Sequence, residues 1–228
     1  WLLARGAPEA RVRVIPLGID PDRMRPSAPG FRQQRGIADG DLLVVYVGQQ
    51  GSHKGIDLLL GAFPALLAAQ PGARLVIAGS RTPYSAEIRR LAAALPASAQ
   101  ARVEVLDDLS EQAKVDLLAA CDVFASPSRY ESFGITVLEA WAQARAVLAG
   151  DGPAQRWVAE DGVSALLVEH QPAAVLDGLL RLAADPALRR RLGAAGHARL
   201  HERYTLARVV DAYHSLFLEA REAAPVRR

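Results

Sequence analysis

The chain has 228 residues, half of them hydrophobic, and its 27 lysines and arginines nearly balance its 25 acidic residues, for a net charge of +2. This composition excludes general disorder, and the balanced charge without a basic block excludes a nucleic-acid partner. The single cysteine, Cys121, excludes a disulfide framework and favours a reducing compartment.

The first 40 residues predict a peripheral segment. Residues 11–15 alternate charged and apolar side chains, which is typical of a short edge strand. Asp20 and Asp22 have the spacing of a metal-binding Asp-x-Asp motif, but the proline between them favours a turn, so we predict no metal site. Residues 20–40 are rich in proline, glycine and arginine and predict a surface linker.

From residue 41 onward, apolar runs alternate with helical patterns. The predicted strands cover residues 42–47, 74–79, 103–106, 122–125, 146–149 and 164–168, and the predicted helices cover about 56–69, 85–94, 111–120, 134–143, 172–184, 186–202 and 205–222. Such alternation predicts an α/β fold, a Rossmann-like doubly wound parallel sheet of about six strands. Because ligands bind outside the carboxyl ends of such strands, the loops that follow the strands should share one rim.

One loop of this rim, Gly48 to Gly55, is rich in glycine and carries Lys54. Glycines expose backbone amides and a lysine adds a cation, which suits a phosphate. The spacing is not that of the nucleotide triphosphatase phosphate loop, and a solvated helix cap is the alternative. Lys54 is one of only two lysines in the chain; Lys114 is the other.

The loop and helix of residues 126–140 form the other half of the rim. A helix that begins near Gly134 would present free amides and a positive dipole end to a diphosphate. Glu139 suits the vicinal hydroxyls of a ribose, although Thr136 and Glu139 also fit a capping box. Glu131 either faces the same site or is a solvated loop charge.

Several sequence blocks match a known family in order and spacing. They are Val14 to Asp20 (VIPLGID), Tyr46 to Gly48 (YVG), Lys54 to Leu59 (KGIDLL), Leu75 to Gly79 (LVIAG), Cys121 to Ser128 (CDVFASPS), Glu131 to Ala140 (ESFGITVLEA), and Asp161-Gly162 before Leu166 to Val168 (LLV). Together they resemble the C-terminal domain of the retaining group 1 (family 4) glycosyltransferases over about residues 10–215.

The resemblance implies the C-terminal half of a two-domain GT-B fold. In that family this half binds a nucleotide-diphosphate sugar and the N-terminal half binds the acceptor. It implies transfer of a hexosyl-type sugar, with retention and without a metal or other cofactor, to a cell-surface polysaccharide, glycolipid or other glycoconjugate. The chain begins at Trp1 and not at methionine, which predicts a fragment. Because the resemblance covers the donor half only, we expect the fragment to bind the donor but not to catalyse transfer alone.

The resemblance also implies roles for individual residues. Lys54 would contact the donor phosphates and Glu131 would orient the transferred sugar, and these two are the candidate catalytic residues. The amides of Gly134, Ile135 and Thr136 would hold the diphosphate, and Glu139 would bind the ribose. The expected donor-binding set is Gly48, Gln49, Lys54, Leu109, Phe133, Gly134, Ile135, Thr136 and Glu139.

The chain departs from the family pattern at five positions, one of which is Pro153 in place of a glycine. Gln49 replaces an arginine that would supply a second phosphate cation, a role that Arg81 is a candidate to fill. Ala144, Ala146 and Arg156 replace a glycine, a proline and a glutamate. The alternatives are therefore a degenerate, non-catalytic interaction module, or another GT-B activity such as a nucleotide-sugar epimerase or a phosphorylase.

The predicted domain division follows from the same resemblance. Residues 1–40 would be the interdomain linker and edge strand, 41–204 the nucleotide-sugar-binding domain, and 205–228 a helix that packs on the N-terminal acceptor domain. Without that domain, Tyr213, Leu216, Phe217 and Leu218 on this helix would be exposed, and we expect self-association as a homodimer through them.

Location is predicted from what the sequence lacks. No apolar run approaches the ~20 residues that span a bilayer, and no signal peptide is visible. With the single cysteine, this predicts a cytoplasmic protein, and a glycolipid acceptor would bring the full-length protein to the inner face of the membrane.

Overall fold

The computed structural model describes residues 2–27 and 30–223, and it is an α/β fold built on one six-stranded parallel sheet. The strands are β1 Leu43–Val47, β2 Arg74–Gly79, β3 Val103–Asp107, β4 Val123–Ser126, β5 Ala146–Gly150 and β6 Leu166–Val168. Their order across the sheet is β3-β2-β1-β4-β5-β6. Strands β2 and β3 are added on one side of β1 and strands β4 to β6 on the other, so the point where the strand order reverses lies between β1 and β4. This order confirms the predicted doubly wound, Rossmann-like sheet.

Helices cover both faces of the sheet. They are α1 Phe31–Gln34, α2 Ile56–Ala69, α3 Ser85–Ala93, α4 Ala97–Gln100, α5 Glu111–Ala120, α6 Ile135–Ala142, α7 Pro153–Val158, α8 Pro172–Ala184, α9 Pro186–Arg203 and α10 Leu206–Ala223. Helices α1, α4 and α7 are too short to show a periodic pattern of apolar residues, and for this reason α1 and α4 were not predicted. In the part of the chain that the structure describes, no helix is both long and apolar enough to cross a membrane.

The strands are buried because each presents apolar side chains to both faces. Val44 and Tyr46 of β1 pack with the apolar faces of α2 and α8. Val45 and Val47 point the other way and pack with α5 and α6. Two hydrophobic layers therefore sandwich the sheet, which is why the sequence of β1 is a continuous aliphatic run and not an alternating one.

The predicted edge strand over residues 11–15 is wrong. A 3-10 helix, Glu9–Arg11, occupies its start, and the following residues belong to no strand of the sheet. The only nearby pairing among the described residues is a single bridge between Ile19 and Thr205. Alternation predicts a strand only where a neighbour can pair with it, and Val14 is instead 74% exposed.

The predicted surface linker over residues 20–40 is also wrong in part. Asp20 does cap a turn, Pro21–Arg23, by accepting a hydrogen bond from the Asp22 amide, as predicted. Further on, however, Phe31 and Ile37 are buried against the domain. The segment is thus docked onto the sheet layer, although residues 28 and 29 lie outside the described part.

The three predicted C-terminal helices are present as α8, α9 and α10. Helix α10 buries Val209 but leaves Val210, Tyr213 and Phe217 at 55%, 45% and 68% exposure. That this face packs on another domain stays a prediction, and residues 224–228 of the predicted C-terminal segment lie outside the described residues.

Candidate functional site

Two adjoining cavities open at the carboxyl ends of β1 and β2 and at the start of α6. The larger has a volume of about 440 Å³ and the smaller about 210 Å³. Both are lined by Val47, Gly48, Gln49, Ile135 and Thr136. We call the two together the cleft.

Every residue of the predicted site lines this cleft, although their roles stay predictions. Leu109 and Glu139 line the larger cavity only. Lys54, Glu131, Phe133 and Gly134 line the smaller cavity only. Gly48, Gln49, Ile135 and Thr136 line both cavities. The rim argument therefore placed these residues together correctly.

Helix α6 begins at the junction of the cavities. Gly134 is its N-cap residue and has a φ of 97°, a left-handed conformation that glycine adopts at little cost. No described side chain caps this helix, so the amides of its first turn have no side-chain acceptor. The alternative capping box of Thr136 and Glu139 is wrong, because both residues lie inside the helix and Glu139 bonds elsewhere.

In the smaller cavity, Lys54 and Glu131 form an ion pair across the cleft. The Lys54 Nζ atom donates to Glu131 Oε2 at 2.8 Å and to Oε1 at 3.0 Å. The two side chains are only 16% and 14% exposed, so the pair is well shielded from water. The solvated-loop interpretation of Glu131 and the solvated-cap interpretation of Lys54 are therefore both wrong.

The contact between their two loops brings this pair together. Gly55, at a φ of 69°, passes so close to the Pro127 carbonyl that a Cβ atom there would lie 2.1 Å from the oxygen. The Arg129 amide donates to the His53 carbonyl at 2.8 Å, and its guanidinium makes two hydrogen bonds to Asp57, at 2.7 and 2.8 Å. These bonds hold the pKa of Asp57 below its usual range.

Tyr46 forms part of the floor of the smaller cavity. Its hydroxyl donates to the Gln49 carbonyl at 2.9 Å, which fixes the start of the glycine-rich loop. Burial raises the pKa of the Tyr46 phenol, and the negative charge of Glu131 raises it further. The phenol therefore stays protonated and remains a hydrogen-bond donor.

In the larger cavity, Lys114 pairs with Glu139, a contact that the sequence did not predict. Lys114 Nζ donates to Glu139 Oε1 at 2.6 Å and lies 2.8 Å from Glu111 Oε2. Burial raises the pKa of Glu139, and Lys114 opposes this shift. Two features of the sequence could have indicated that Lys114 belongs to the site. It is one of only two lysines in the chain, and it lies in the first helix after β3.

Arg81 does not replace the cation missing at Gln49. Its guanidinium pairs with Asp107 at 3.4 Å, is 67% exposed, and lines neither cavity. The cationic side chains that line the cleft, within the described residues, are Lys54 and Lys114. The cleft thus carries one lysine in each cavity.

The other departures from the family pattern lie outside the cleft lining. Ala146 is buried at the start of β5, and Arg156 pairs with Asp151. Ala144 lies just after α6, two residues past Ala142, and has a φ of 51°, in the left-handed region where the pattern has glycine. Among the described residues no group of His, Cys, Asp and Glu side chains is arranged to hold a metal ion.

Comparisons with known proteins agree on one family. The family model for glycosyl transferases group 1 matches residues 28–199. The D-inositol 3-phosphate glycosyltransferase of Nocardia farcinica is 33% identical over 201 residues, which cover 85% of this chain and 45% of that protein. The GDP-mannose-dependent monoacylated alpha-(1-6)-phosphatidylinositol monomannoside mannosyltransferase of Corynebacterium glutamicum is also 33% identical, over 84% of this chain and 52% of that protein. The chain thus spans about half the length of these relatives.

Solved structures show the same fold. The sucrose-phosphate synthase of Thermosynechococcus elongatus has a TM-score of 0.83 and 27% identity, over 98% of this chain and 56% of that one. The Anabaena protein HepE in complex with UDP and glucose has a TM-score of 0.81 at 20% identity, over 94% of this chain and 59% of that one. The C-terminal domain of a group 1 family protein from Francisella tularensis is matched over its whole length, and over 83% of this chain, with a TM-score of 0.71 at 22% identity.

Proposed function

This chain belongs to the group 1 glycosyltransferase family, and from that premise we propose that its cleft binds a nucleotide-diphosphate sugar. In this proposal the chain is the C-terminal, donor-binding half of a retaining (family 4), metal-independent enzyme of GT-B fold. The acceptor, a polysaccharide, glycolipid or other glycoconjugate, binds to an N-terminal domain. Taken alone, the chain binds the donor without transferring the sugar.

One observation carries the proposal: the Lys54–Glu131 ion pair lies beside the uncapped start of α6 in one cleft. A diphosphate is an anion that needs a cation and backbone donors, and Lys54 with the first amides of α6 supplies both. A sugar carries hydroxyls that a carboxylate accepts, and Glu131 supplies that carboxylate.

The same groups would also stabilise the leaving group during transfer of the sugar. As the bond between the anomeric carbon and the diphosphate breaks, negative charge grows on the departing phosphate oxygen. Lys54 and the α6 amides stabilise that charge from fixed positions, without reorganisation of water. In this proposal Lys54 exchanges its bonds to Glu131 for bonds to phosphate, which releases the Glu131 carboxylate toward the hexosyl group.

The interaction-module alternative predicts a damaged cleft. The substituted residues Ala144, Ala146 and Arg156 instead line neither cavity. Of the residues that do line the cleft, Gln49 is the one that departs from the family pattern. This pattern supports donor binding over a purely structural role.

Calorimetry with UDP, GDP and ADP tests the proposal. We expect at least one of the three to bind, and Lys54→Met to weaken that binding. Loss of one charge-assisted contact costs about 2 to 3 kcal/mol, which corresponds to roughly 30- to 150-fold in affinity. The matching nucleoside, which has no phosphates, should bind both forms of the protein alike.

Arg90 is a suitable control position. It is an exposed cation of α3 that pairs with Glu87 and lines neither cavity. Arg90→Met should leave the affinity unchanged. If none of the three diphosphates binds the wild-type chain at millimolar concentration, the proposed function is wrong.

A further inference from the structure

A fully buried glutamine, Gln50, lies behind the wall of the larger cavity. Its exposure is 0% and it lines neither cavity, although Gly48 and Gln49 just before it line both. Its backbone amide donates to the Ser80 carbonyl at 3.1 Å, and its backbone carbonyl accepts from the Thr82 hydroxyl. This residue therefore fastens the loop after β1 to the loop after β2.

The side chain of Gln50 extends this connection to β3. Its Nε2 atom donates to Asp107 Oδ1 at 2.9 Å and to the Gly79 carbonyl at 3.3 Å. Asp107 is the last residue of β3 and Gly79 is the last residue of β2. One amide group thus joins the carboxyl ends of both strands to the loop after β1, and only its NH₂ group suits these two acceptors.

Stability does not explain why a glutamine occupies this position. Gln50 Oε1 is buried without a hydrogen-bond partner among the described residues, which costs free energy. The two acceptors also have other donors. Asp107 Oδ2 accepts from Arg89 at 2.5 Å, and the Gly79 carbonyl accepts from the Asp108 amide at 3.0 Å. An apolar side chain of similar shape would therefore remove the unpaired oxygen and leave each acceptor group with a donor.

The residue that Gln50 affects most directly is Asp108, at the start of the loop after β3. Asp108 follows Asp107, lines the larger cavity and has a φ of 49°, a left-handed conformation that is uncommon for a residue other than glycine. Its neighbour Leu109 lines the same cavity. Such a conformation persists only where its surroundings hold it, and it is frequent at ligand sites. Gln50 supplies part of this hold, because it fixes the residue before Asp108.

We propose that Gln50 is a positioning residue of the donor site: through Asp107 it holds Asp108 and Leu109 in the conformation that forms one wall of the larger cavity. This inference rests on the proposed function, because it requires a nucleoside diphosphate in the cleft. Gln50 itself lies outside the lining of both cavities. It acts on affinity by raising the fraction of molecules whose cavity wall is ready to bind.

Gln50→Met tests the proposal, because it removes the hydrogen bonds and keeps the length of the side chain. Calorimetry measures the affinity of the chain for whichever of UDP, GDP or ADP binds. We expect a loss of about 5- to 30-fold, since Asp108 relaxes from its left-handed conformation and must be returned to it on binding. The midpoint of urea unfolding should not fall, because the unpaired oxygen is removed as well. A role in stability alone would lower the midpoint and leave the affinity of the folded protein unchanged.

Two further variants show whether the effect passes through Asp107. Asp107→Ala should lower the affinity at least as much as Gln50→Met does. The double variant should lose no more than Asp107→Ala alone, since two residues that act through one contact are not additive. Gln155→Met is the matched control, because Gln155 is also a buried glutamine, at 3% exposure, and lines neither cavity. Its replacement should leave the affinity unchanged.

Gln50→Glu gives a second readout that does not depend on the folding of Gln50→Met. The introduced carboxylate would face Asp107 and repel it, whereas the protonated form donates a hydrogen bond as the amide does. Arg89 holds the pKa of Asp107 below its usual range, and Arg81 also pairs with Asp107. The proton is therefore taken up by the introduced carboxyl group, whose pKa burial and Asp107 raise. We expect Gln50→Glu to bind about tenfold more weakly than the wild type at a pH of about 8.5, and within about threefold of it at a pH of about 5.5.

The outcomes distinguish this inference from the proposed function. The inference is wrong, and donor binding stands, if Gln50→Met keeps the wild-type affinity, if its loss adds to that of Asp107→Ala in the double variant, or if the loss in Gln50→Glu does not change with pH. If the wild-type chain binds no nucleoside diphosphate, the proposed function is wrong and this inference with it.

Discussion

Two lysine–glutamate pairs line the cleft, and they differ in what they leave free. Lys54 uses both oxygens of Glu131, and the pair is held by two loops that touch. Lys114 uses one oxygen of Glu139, and this pair joins helices α5 and α6. Lys54 therefore occupies both oxygens of its carboxylate partner, whereas Glu139 Oε2 has no hydrogen-bond partner among the described residues.

The contrast has a consequence for binding. A ligand in the smaller cavity that draws Lys54 away from Glu131 breaks two hydrogen bonds, so part of its interaction energy offsets the loss of that pair. A ligand in the larger cavity adds bonds to Lys114 and Glu139 without breaking any. We therefore expect the nucleoside part of the donor to contribute more to affinity per contact than the sugar.

The largest effect should come from breaking the loop contact that positions Lys54. Gly55→Ala places a side chain at a φ of 69° and 2.1 Å from the Pro127 carbonyl oxygen. The left-handed conformation costs roughly 1 kcal/mol and the forced shift about 1 to 3 kcal/mol more. We expect the free energy of unfolding to fall by about 3 kcal/mol, measured by urea denaturation.

Gly162 is the matched control for this substitution. It has a φ of 71°, and no neighbouring atom of the described residues lies within 4 Å of the point where a Cβ atom would be, so Gly162→Ala carries only the conformational cost. The difference between the two variants isolates the loop contact. Equal losses of stability would show that this contact does not constrain the Lys54 loop.

The contrast also explains what the sequence could predict. Buried strands such as β1 and β4 are continuous apolar runs, so the sheet and its rim followed from the sequence alone. The Lys54–Glu131 pair could be placed on one rim because both residues follow strands. The Lys114–Glu139 pair could not, because it depends on how α5 packs against α6.

The segment of residues 11–40 was mispredicted in part, although the turn at Asp20 is present as predicted. Alternation at 11–15 satisfies a strand pattern, but no neighbouring strand is available there to pair with it. Phe31 and Ile37 are isolated apolar residues among polar ones, and only the docked structure shows that they reach the core. Local patterns do not reveal contacts that are made by tertiary docking.

A second, smaller effect concerns the buried Lys114–Glu139 pair. Because burial raises the pKa of Glu139, the folded state binds its proton more tightly than the unfolded chain. The contribution of Glu139 to stability is therefore fully present below the ordinary pKa of about 4.3 and is lost as the pH rises through the raised value. The difference in unfolding free energy, wild type minus Glu139→Gln, should fall as the pH rises from about 4 toward neutrality.

Denaturant titrations of both proteins at several pH values measure this difference. Glutamine keeps the shape of the side chain, and Lys114 titrates well above this pH range because Glu111 and Glu139 raise its pKa against the effect of burial. A difference that grows with pH would mean that Lys114 outweighs burial and holds the carboxylate in its charged form.

The smallest effect should come from the ion pair outside the cleft that supports the Glu131 loop. Arg129 holds the pKa of Asp57 below its usual range, so the contribution of this pair to stability is present above a pH of about 4 and is lost as the pH falls through the lowered value. Both side chains are about a third exposed, at 38% and 31%, and water screens the pair. We expect Asp57→Asn to cost roughly 0.5 to 1 kcal/mol of unfolding free energy at pH 7 and clearly less at a pH of about 3.

Because the pH trends for Asp57 and Glu139 have opposite signs, the same titrations separate a carboxylate stabilised by its partner from one destabilised by burial. A cost at Asp57 that does not change with pH would show that the Arg129 contact positions the Glu131 loop by shape and not by charge.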